Sequence, residues 1–104
     1  NGVKLESFIF DALALAGKTL VLEGDRAEVF GPTKNPTGVD YVESCREMLI
    51  ARDVRRLRAA GVTVEENVRI ELSPRRVFDD EDARRLAADL KLEKISGGTE
   101  TVIG

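Results

Sequence analysis

Residues 40–61 read DYVESCREMLIARDVRRLRAAG, and this stretch carries the clearest helical pattern in the chain. Its apolar side chains recur at helical spacing and form one stripe: Val42, Cys45, Leu49, Ile50, Val54 and Leu57. Asp40 stands three residues before Glu43, which is the spacing of a capping box, and Gly61 supplies a stop signal. The pattern therefore predicts a helix of about 20 residues that packs one face on a core.

The opposite face of this predicted helix is rich in charge. It carries four arginines mixed with three acids: Arg52, Arg55, Arg56, Arg58, Glu43, Glu47 and Asp53. Interspersed charges of both signs on a helix predict a solvated face with weak ion pairs. Over the whole chain 16 Lys and Arg stand against 19 Asp and Glu, and the signs are not segregated, so no basic surface for nucleic acid is predicted.

The chain after this helix alternates between strand and helix patterns. Residues 62–72, VTVEENVRIEL, predict either a β-hairpin or a strand bent at Glu65-Glu66-Asn67, and Pro74 ends them. Residues 79–90 begin with four acids, which favour a helix N-terminus. The residues of that helix expected to face the core are Ala83, Leu86, Ala87 and Leu90. Residues 92–103 predict a second hairpin around Gly97-Gly98.

The chain before this helix predicts a short helix, strands and a loop. A helix over residues ~4–16, ended by Gly17, follows from an apolar stripe: Leu5, Phe8, Ile9, Ala12, Leu13 and Ala16. KTLVLEG and AEVF predict two short strands or one bent strand, and GPTKNPTG predicts an irregular loop. The expected fold is a single α+β domain over residues 1–104, or a partial α/β layer, with about three helices around a small mixed sheet.

Composition excludes several kinds of chemistry. The 104 residues contain no His, so they offer neither imidazole catalysis nor a His-ligated metal. Cys45 lies on the apolar side of a predicted helix and is interpreted as a buried, reduced thiol, which fits the cytoplasm. The acids at 79–82 are interpreted as a helix cap and not as a cation site. The chain has neither a signal-peptide pattern nor an apolar run of the roughly 20 residues that a membrane span needs.

Lys4 is the candidate binding residue that the pattern itself suggests. It stands beside flexible Gly2 and just ahead of an amphipathic helix, so its cation can extend toward an anionic ligand such as a phosphate. Simple solvation of a lysine is the alternative. The chain starts at Asn1 without a methionine, and we expect it to be the tail end of a larger protein.

Two segments resemble a known family in the same order and at about the same interval. NGVKLESFIFD (residues 1–11) resembles the N-G-[IV]-K-[ML]-E-x-F-[IV]-F-D segment of the eukaryotic-type UDP-N-acetylglucosamine pyrophosphorylases. AEVFGPTKN (residues 27–35) is similar to their E-F-x-P-x-K-N segment, and IELSPRRVFDDEDARRL shows a weaker similarity to their E-[IL]-S-P segment. The resemblance implies the C-terminal portion of a Rossmann-like nucleotidyltransferase.

The resemblance also implies a reaction and a set of site residues. The family transfers a uridylyl group from UTP to a sugar 1-phosphate with Mg²⁺, and the lysine of its first motif contacts the phosphate region, which corresponds to Lys4. Asn1 and Gly2 belong to the same motif. Lys34 and Asn35 match the second motif, where ligand contact and a role in shaping the loop are both open.

The departures from the family pattern define what this chain is expected to lack. The glycine-rich nucleotide loop L-x-x-G-x-G-T-x-x-G-x-x-x-P-K has no counterpart, so no complete catalytic site is expected, and the chain alone should be inactive and bind no metal itself. Residues 32–50 are shorter than the asparagine-rich insertion of eukaryotic members, which suggests a bacterial homologue whose preferred sugar need not be N-acetylglucosamine.

The alternative function is a non-catalytic interaction or oligomerisation module derived from the same region. The first predicted helix carries apolar residues beyond its main stripe: Ile9, Phe10, Ala14 and Leu15. An exposed apolar face of this kind predicts self-association of the chain, most simply as a symmetric homodimer through that helix.

Overall fold

The computed structural model describes residues 1–97 and 100–104. Its first half holds a 3-10 helix at Ile9–Leu15 and a short helix α1 at Arg26–Val29. Its second half alternates helix and strand, in the order α2 (Val42–Ala59), β1 (Thr63–Val64), β2 (Ile70–Leu72), α3 (Asp80–Asp89), β3 (Lys94–Ile95) and β4 (Thr101–Ile103). The long central helix and the acid-capped helix are therefore confirmed.

The four strands form two parallel pairs, β1 with β3 and β2 with β4. Thr63 lies opposite Lys94 and Ile70 lies opposite Thr101, so both pairs keep the same offset of 31 residues. Residues 63–72 thus behave as one bent strand whose first part pairs with β3 and whose second part pairs with β4, and α3 lies between β2 and β3 in sequence. The bend alternative is confirmed and the first hairpin is wrong.

Parallel pairing also replaces the other sheet features expected from the sequence. The second turn was predicted at Gly97-Gly98, and Gly98 lies outside the described residues. β3 and β4, on either side of it, pair with β1 and β2 instead of with each other. A mixed sheet was expected, whereas both described pairs are parallel, because α3 returns the chain to the start of the neighbouring strand.

The hydrophobic core lies between the strands and the two longer helices. Leu57 of α2, Ile70 of β2 and Leu86 of α3 are fully or almost fully buried, and α2 contacts both β1 and β2. The other buried apolar residues are Val62, Val64, Val68, Leu72, Val77, Ala83 and Ala87. Leu90, predicted to face the core, is instead about half exposed because it caps the end of α3.

The first 25 residues lie apart from this core. Helix formation in the predicted 4–16 segment is limited to the 3-10 turn at Ile9–Leu15, and its side chains are exposed. Residues 18–24 form no strand, and AEVF lies largely in α1, whose first turn is capped by the Asp25 carboxylate. The radius of gyration is 18.4 Å, whereas a compact chain of this length has about 13 Å.

The start of α2 differs from the predicted capping box. The N-cap is Tyr41, and its N–H donates to the Ser44 hydroxyl at 3.0 Å. Asp40 adopts a left-handed φ of 57° and cannot cap the helix, while Glu43 reaches across to Arg69 at 2.9 Å. The helix therefore begins one residue later than the capping pattern suggested.

Candidate functional site

The first motif lies in an extended, exposed segment. Lys4 is 83% exposed, and its ammonium pairs with the carboxylate of Glu6. Asn1 and Gly2 are also exposed, and adding a Cβ at Gly2 would meet no atom within 4 Å. The exposed Lys4 side chain can therefore reach an anion that approaches from outside.

The second motif lies in a closed loop. The backbone N–H groups of Lys34 and Asn35 both donate to the carbonyl of Asp40, at 2.6 and 2.9 Å. The Asn35 side-chain amide donates to the carbonyl of Val39 at 2.8 Å. Gly38, at φ +87°, provides the left-handed residue that this reversal requires. The contacts of Asn35 are those of a residue that shapes a loop.

The two motifs are not joined to each other in the described part of the chain. No hydrogen bond or ion pair links residues 1–4 with Lys34 or Asn35 there. Lys4 lies on the N-terminal segment, whereas the closed loop leads directly into α2. A shared ligand would therefore need additional groups to bring these residues together.

A shallow cavity of about 160 Å³ lies where α1 meets α2. Phe30, Met48 and Arg52 are among its lining residues, and the Cys45 thiol donates to the carbonyl of Gly31 at 3.1 Å. Cys45 was expected to be buried, and its side chain is half-buried. The thiol is held by a structural contact.

The short helix α1 is held against α2 by an ion pair. The Arg55 guanidinium bonds both carboxylate oxygens of Glu28, and this contact raises the pKa of Arg55 above its ordinary value. Arg26 stacks over the ring of Phe30 at 4.5 Å. The sequence did not predict this ion pair between α1 and α2, because apolar and polar residues alternate in AEVF and predict a strand.

The arginine face of α2, predicted to be solvated, makes tertiary contacts instead. Arg58 donates to the carbonyl of Val64 at 2.9 Å, and Arg56 donates to the carbonyl of Phe78 at 3.1 Å. Arg56 also lies 3.5 Å from the carboxylate of Asp80 at the start of α3. These side chains fix α2 to the elements around it. The solvated-face prediction is wrong for Arg56, whose side chain is only 13% exposed, whereas Arg58 is exposed as predicted.

Asp53 is a buried acid that the sequence interpretation placed on the charged face. It is 1% exposed, accepts the N–H of Leu72 at 2.9 Å and pairs with Arg52 at 3.0 Å. A signal was present in the sequence, because Asp53 stands four residues from both Leu49 and Leu57 and therefore shares their apolar face.

Asp53 and Arg58 together close one edge of the strand pairs. The backbone N–H of Thr63 donates to Glu93 beside β3, and that of Ser73 donates to Ile103 of β4. Because backbone groups alternate in direction along a strand, those of the adjacent Val64 and Leu72 point to the opposite edge. The Leu72 N–H is taken by Asp53 and the Val64 carbonyl by Arg58. Side chains of α2 thus occupy positions that another strand would use.

The acids at residues 79–82 cap α3, as predicted. The carboxylate of Asp79 accepts the N–H of Asp82 at 2.9 Å, and this bond holds the pKa of Asp79 below its ordinary value. Asp82 in turn accepts the N–H of Phe78 at 3.0 Å. Among the described residues, no three acid or cysteine side chains lie together in a group that could hold a metal ion.

None of the helices in the described ranges is both long enough and apolar enough to cross a bilayer.

The chain is similar to curated eukaryotic proteins over part of its length. It is 42% identical over 62 residues to UDP-N-acetylglucosamine diphosphorylase 2 of Arabidopsis thaliana, covering 58% of this chain and 12% of that protein. It is 35% identical over 86 residues to the UDP-N-acetylglucosamine pyrophosphorylase of Saccharomyces cerevisiae, covering 79% of this chain and 18% of that protein. A UDP-N-acetylhexosamine pyrophosphorylase-like protein of Mus musculus is 36% identical over 63 residues, covering 59% of this chain and 12% of that protein.

No family model and no solved structure matches the chain. The chain spans about an eighth of the length of the plant and mouse relatives and less than a fifth of the yeast relative. The relatives described are eukaryotic, and the bacterial origin suggested by the short loop stays a prediction. The chain is thus similar to one region of the UDP-N-acetylglucosamine pyrophosphorylases, and that similarity supports this family.

Proposed function

We propose that the 104 residues are the C-terminal portion of a UDP-sugar pyrophosphorylase. The observation that carries the proposal is the similarity to proteins named for this activity. The chain is 42% identical to the plant protein over 58% of its own length and 35% identical to the yeast protein over 79%. In the proposed reaction a phosphate oxygen of the sugar 1-phosphate attacks the α-phosphorus of UTP. The bond to the β-phosphate breaks, and pyrophosphate leaves.

Lys4 is the residue that we propose touches substrate. Its side chain is exposed and pairs only with the nearby Glu6 in the described structure, so it can turn to a phosphate at little structural cost. Negative charge concentrates on phosphate oxygens as the uridylyl group is transferred, and a positioned cation stabilises that charge. Asn1 and Gly2 would let the backbone approach closely beside it.

Lys34 and Asn35 are proposed to act as a pair with different tasks. Asn35 closes the loop through its bonds to Val39 and Asp40, which fixes the backbone at Lys34. The ammonium of Lys34 then offers a second cation for an anionic substrate. We propose that Mg²⁺ assists the reaction in the complete protein and that this chain alone binds none.

The test uses the product of the complete reading frame that contains these residues. We propose that it works in the cytoplasm, and that purified product releases pyrophosphate from UTP when given one member of a panel of sugar 1-phosphates. The 104-residue chain assayed in parallel should show no turnover above buffer. Failure of the whole product with every sugar in the panel would overturn the proposal.

A non-catalytic interaction module is the second candidate. It is favoured by the 3-10 helix, which contacts no other described helix or strand and leaves Ile9, Phe10 and Leu15 exposed. A reading frame that contains no glycine-rich nucleotide loop would support this candidate over the first.

A further inference from the structure

The loop that carries Lys34 is anchored on both sides to the long helix α2. On its downstream side, the N–H of Lys34 donates to the carbonyl of Asp40, two residues before α2 begins. On its upstream side, the carbonyl of Gly31 accepts a hydrogen bond from the thiol of Cys45 on α2 at 3.1 Å. The backbone at Lys34 therefore lies between two points whose positions are both set by α2.

The ion pair between Glu28 and Arg55 adds a third connection to α2. Two nitrogens of the Arg55 guanidinium bond the two carboxylate oxygens of Glu28, and the Nη2–Oε2 distance is 2.7 Å. A planar fork of this kind fixes the orientation of its partner as well as its distance. The Arg55 and Glu28 side chains are 51% and 30% exposed, and exposed ion pairs add little to global stability. The main effect of the pair is therefore on the position of α1.

Helix α1 depends on such contacts for its position. It has four residues, none of them buried, and among the described helices and strands it contacts only α2. A helix this short is not stable on its own. The hydrogen bond to Glu28 and the nearby charges of Asp80 and Asp25 raise the pKa of Arg55, so the guanidinium is the cation among three acids. Without it, Glu28 would face like charges, and α1 would move away from this part of α2.

We infer that Glu28 and Arg55 are positioning residues for Lys34, because their ion pair fixes α1 on α2 and thereby fixes the upstream end of the loop. Lys34 follows Glu28 by six residues, and Gly31 lies between them. The inference rests on the proposed function, in which the ammonium of Lys34 meets an anionic substrate. It adds to that function a task for α2, which belongs to neither of the two motifs.

The first test is steady-state kinetics of the product of the complete reading frame. Arg55→Gln should raise the KM of one of the two anionic substrates, UTP or the sugar 1-phosphate, about tenfold and change kcat less, because the cation is misplaced when that substrate binds. Glu28→Gln should have the same effect, and the double variant should lose no more than either single variant. Additive losses, or a wild-type KM in both single variants, would overturn the inference.

A second background separates positioning of Lys34 from a purely structural role of the pair. In the Lys34→Ala protein the cation is absent, so Arg55→Gln should cause no further change in KM. A residue that only supports the fold would weaken the enzyme in both backgrounds. A tenfold effect of Arg55→Gln that persists in the Lys34→Ala protein would therefore overturn the inference.

Amide hydrogen exchange provides a readout that does not depend on turnover. The amides of Lys34 and Asn35 both bond the carbonyl of Asp40, and in the whole product Arg55→Gln should speed their exchange about tenfold. The amide of Thr63, which bonds the carbonyl of Glu93 between the strands, should exchange as in the wild type and serves as the internal reference. Unchanged exchange at Lys34 and Asn35 would overturn the inference.

Arg76→Gln is the matched control. The Arg76 side chain is 49% exposed, close to the value for Arg55, and its ion pair with Asp89 at 3.3 Å lies outside the loop. This variant should leave both KM and the exchange at Lys34 unchanged, and an effect equal to that of Arg55→Gln would overturn the inference. Faster exchange at Lys34 caused by Arg55→Gln in an inactive product would support the positioning role while the proposed function failed.

Discussion

The carboxylate of Asp53 on α2 accepts the backbone N–H of Leu72 on β2 at 2.9 Å, and the acid is 1% exposed. A strand edge left open would expose this N–H to water or to another chain. The contact joins the longest helix to the sheet through a buried polar bond.

Replacing Asp53 with alanine should lower the free energy of unfolding by about 2–3 kcal/mol, because the Leu72 N–H would be left buried without a partner. Urea unfolding of the 104-residue chain measures the loss. Asp89→Ala is the matched control: its acid is exposed and pairs with Arg76 at 3.3 Å, so the change should stay within about 0.5 kcal/mol. A loss for Asp53→Ala no larger than for the control would contradict the assigned role.

Arg58→Ala should cost about 1 kcal/mol of stability, since it removes the donor to the Val64 carbonyl at the same strand edge. Arg84→Ala removes an exposed pair with Glu81 within α3 and should have a smaller effect. Both values come from the same urea titration. If the two variants were equally stable, the Arg58 contact would be no more than a surface pair.

Lys4→Ala in the product of the complete reading frame should lower kcat about 100-fold, because a cation that stabilises transition-state charge is lost. Lys18→Ala is the control, since Lys18 is an exposed lysine outside both motifs. Steady-state kinetics and a circular dichroism spectrum of each variant separate catalysis from folding. Kinetics of Lys4→Ala close to those of Lys18→Ala would mean that Lys4 is simply solvated.

Asp79 predicts a pH dependence of stability. The N–H groups of Asp82 and Glu81 favour its charged form and hold its pKa below the ordinary 3.8. A carboxyl with a lowered folded-state pKa contributes stability above the unfolded value, and this contribution disappears as the pH falls through the folded value. The stability gap between the wild type and Asp79→Asn should therefore be constant near neutrality and shrink below pH 3.8. A gap that does not change with pH would rule out the charged cap.

The 104-residue chain should self-associate, most simply as a symmetric dimer that includes the 3-10 helix. Ile9, Phe10 and Leu15 are exposed there, and a soluble monomer seldom leaves such a patch uncovered. Light scattering at tens of micromolar should give a mass above that of the monomer, and Ile9→Asp should reduce it. A monomer mass at every concentration would show that the patch does not associate.

The sequence predicted the helices, because the side chains that a helix buries recur at a regular spacing within the helix itself. The apolar residues of α2 and α3 recur at helical spacing, and Leu57 and Leu86 are buried accordingly. Strand pairing was not predictable, because alternation in residues 62–72 shows which side chains turn inward but not which strand lies alongside. A hairpin pairs strands that are adjacent in sequence, whereas β1 and β2 pair in parallel with β3 and β4, which follow α3.

The errors upstream of α2 have a related cause. Residues 18–24 have the composition of a strand, but a strand also needs a partner for its backbone groups, and the described chain offers none. For the candidate site, motif resemblance named Lys4, Lys34 and Asn35, and the structure adds the loop contacts of Asn35. The burial of Asp53 was not predicted, because the residue was assigned to the charged face for its residue type although its position places it on the apolar face of α2.

The shared offset of the two strand pairs couples the lengths of two stretches that are far apart in sequence. An extra residue between Val64 and Ile70, with none added between Ile95 and Thr101, would shift the second pairing by one position relative to the first. A one-residue slip turns Ile70 and Leu72 from the core toward solvent. Natural variants and designed insertions should therefore lengthen both stretches together or neither. Each stretch joins two strands of only two or three residues, yet an insertion in one stretch without a matching insertion in the other should be selected against.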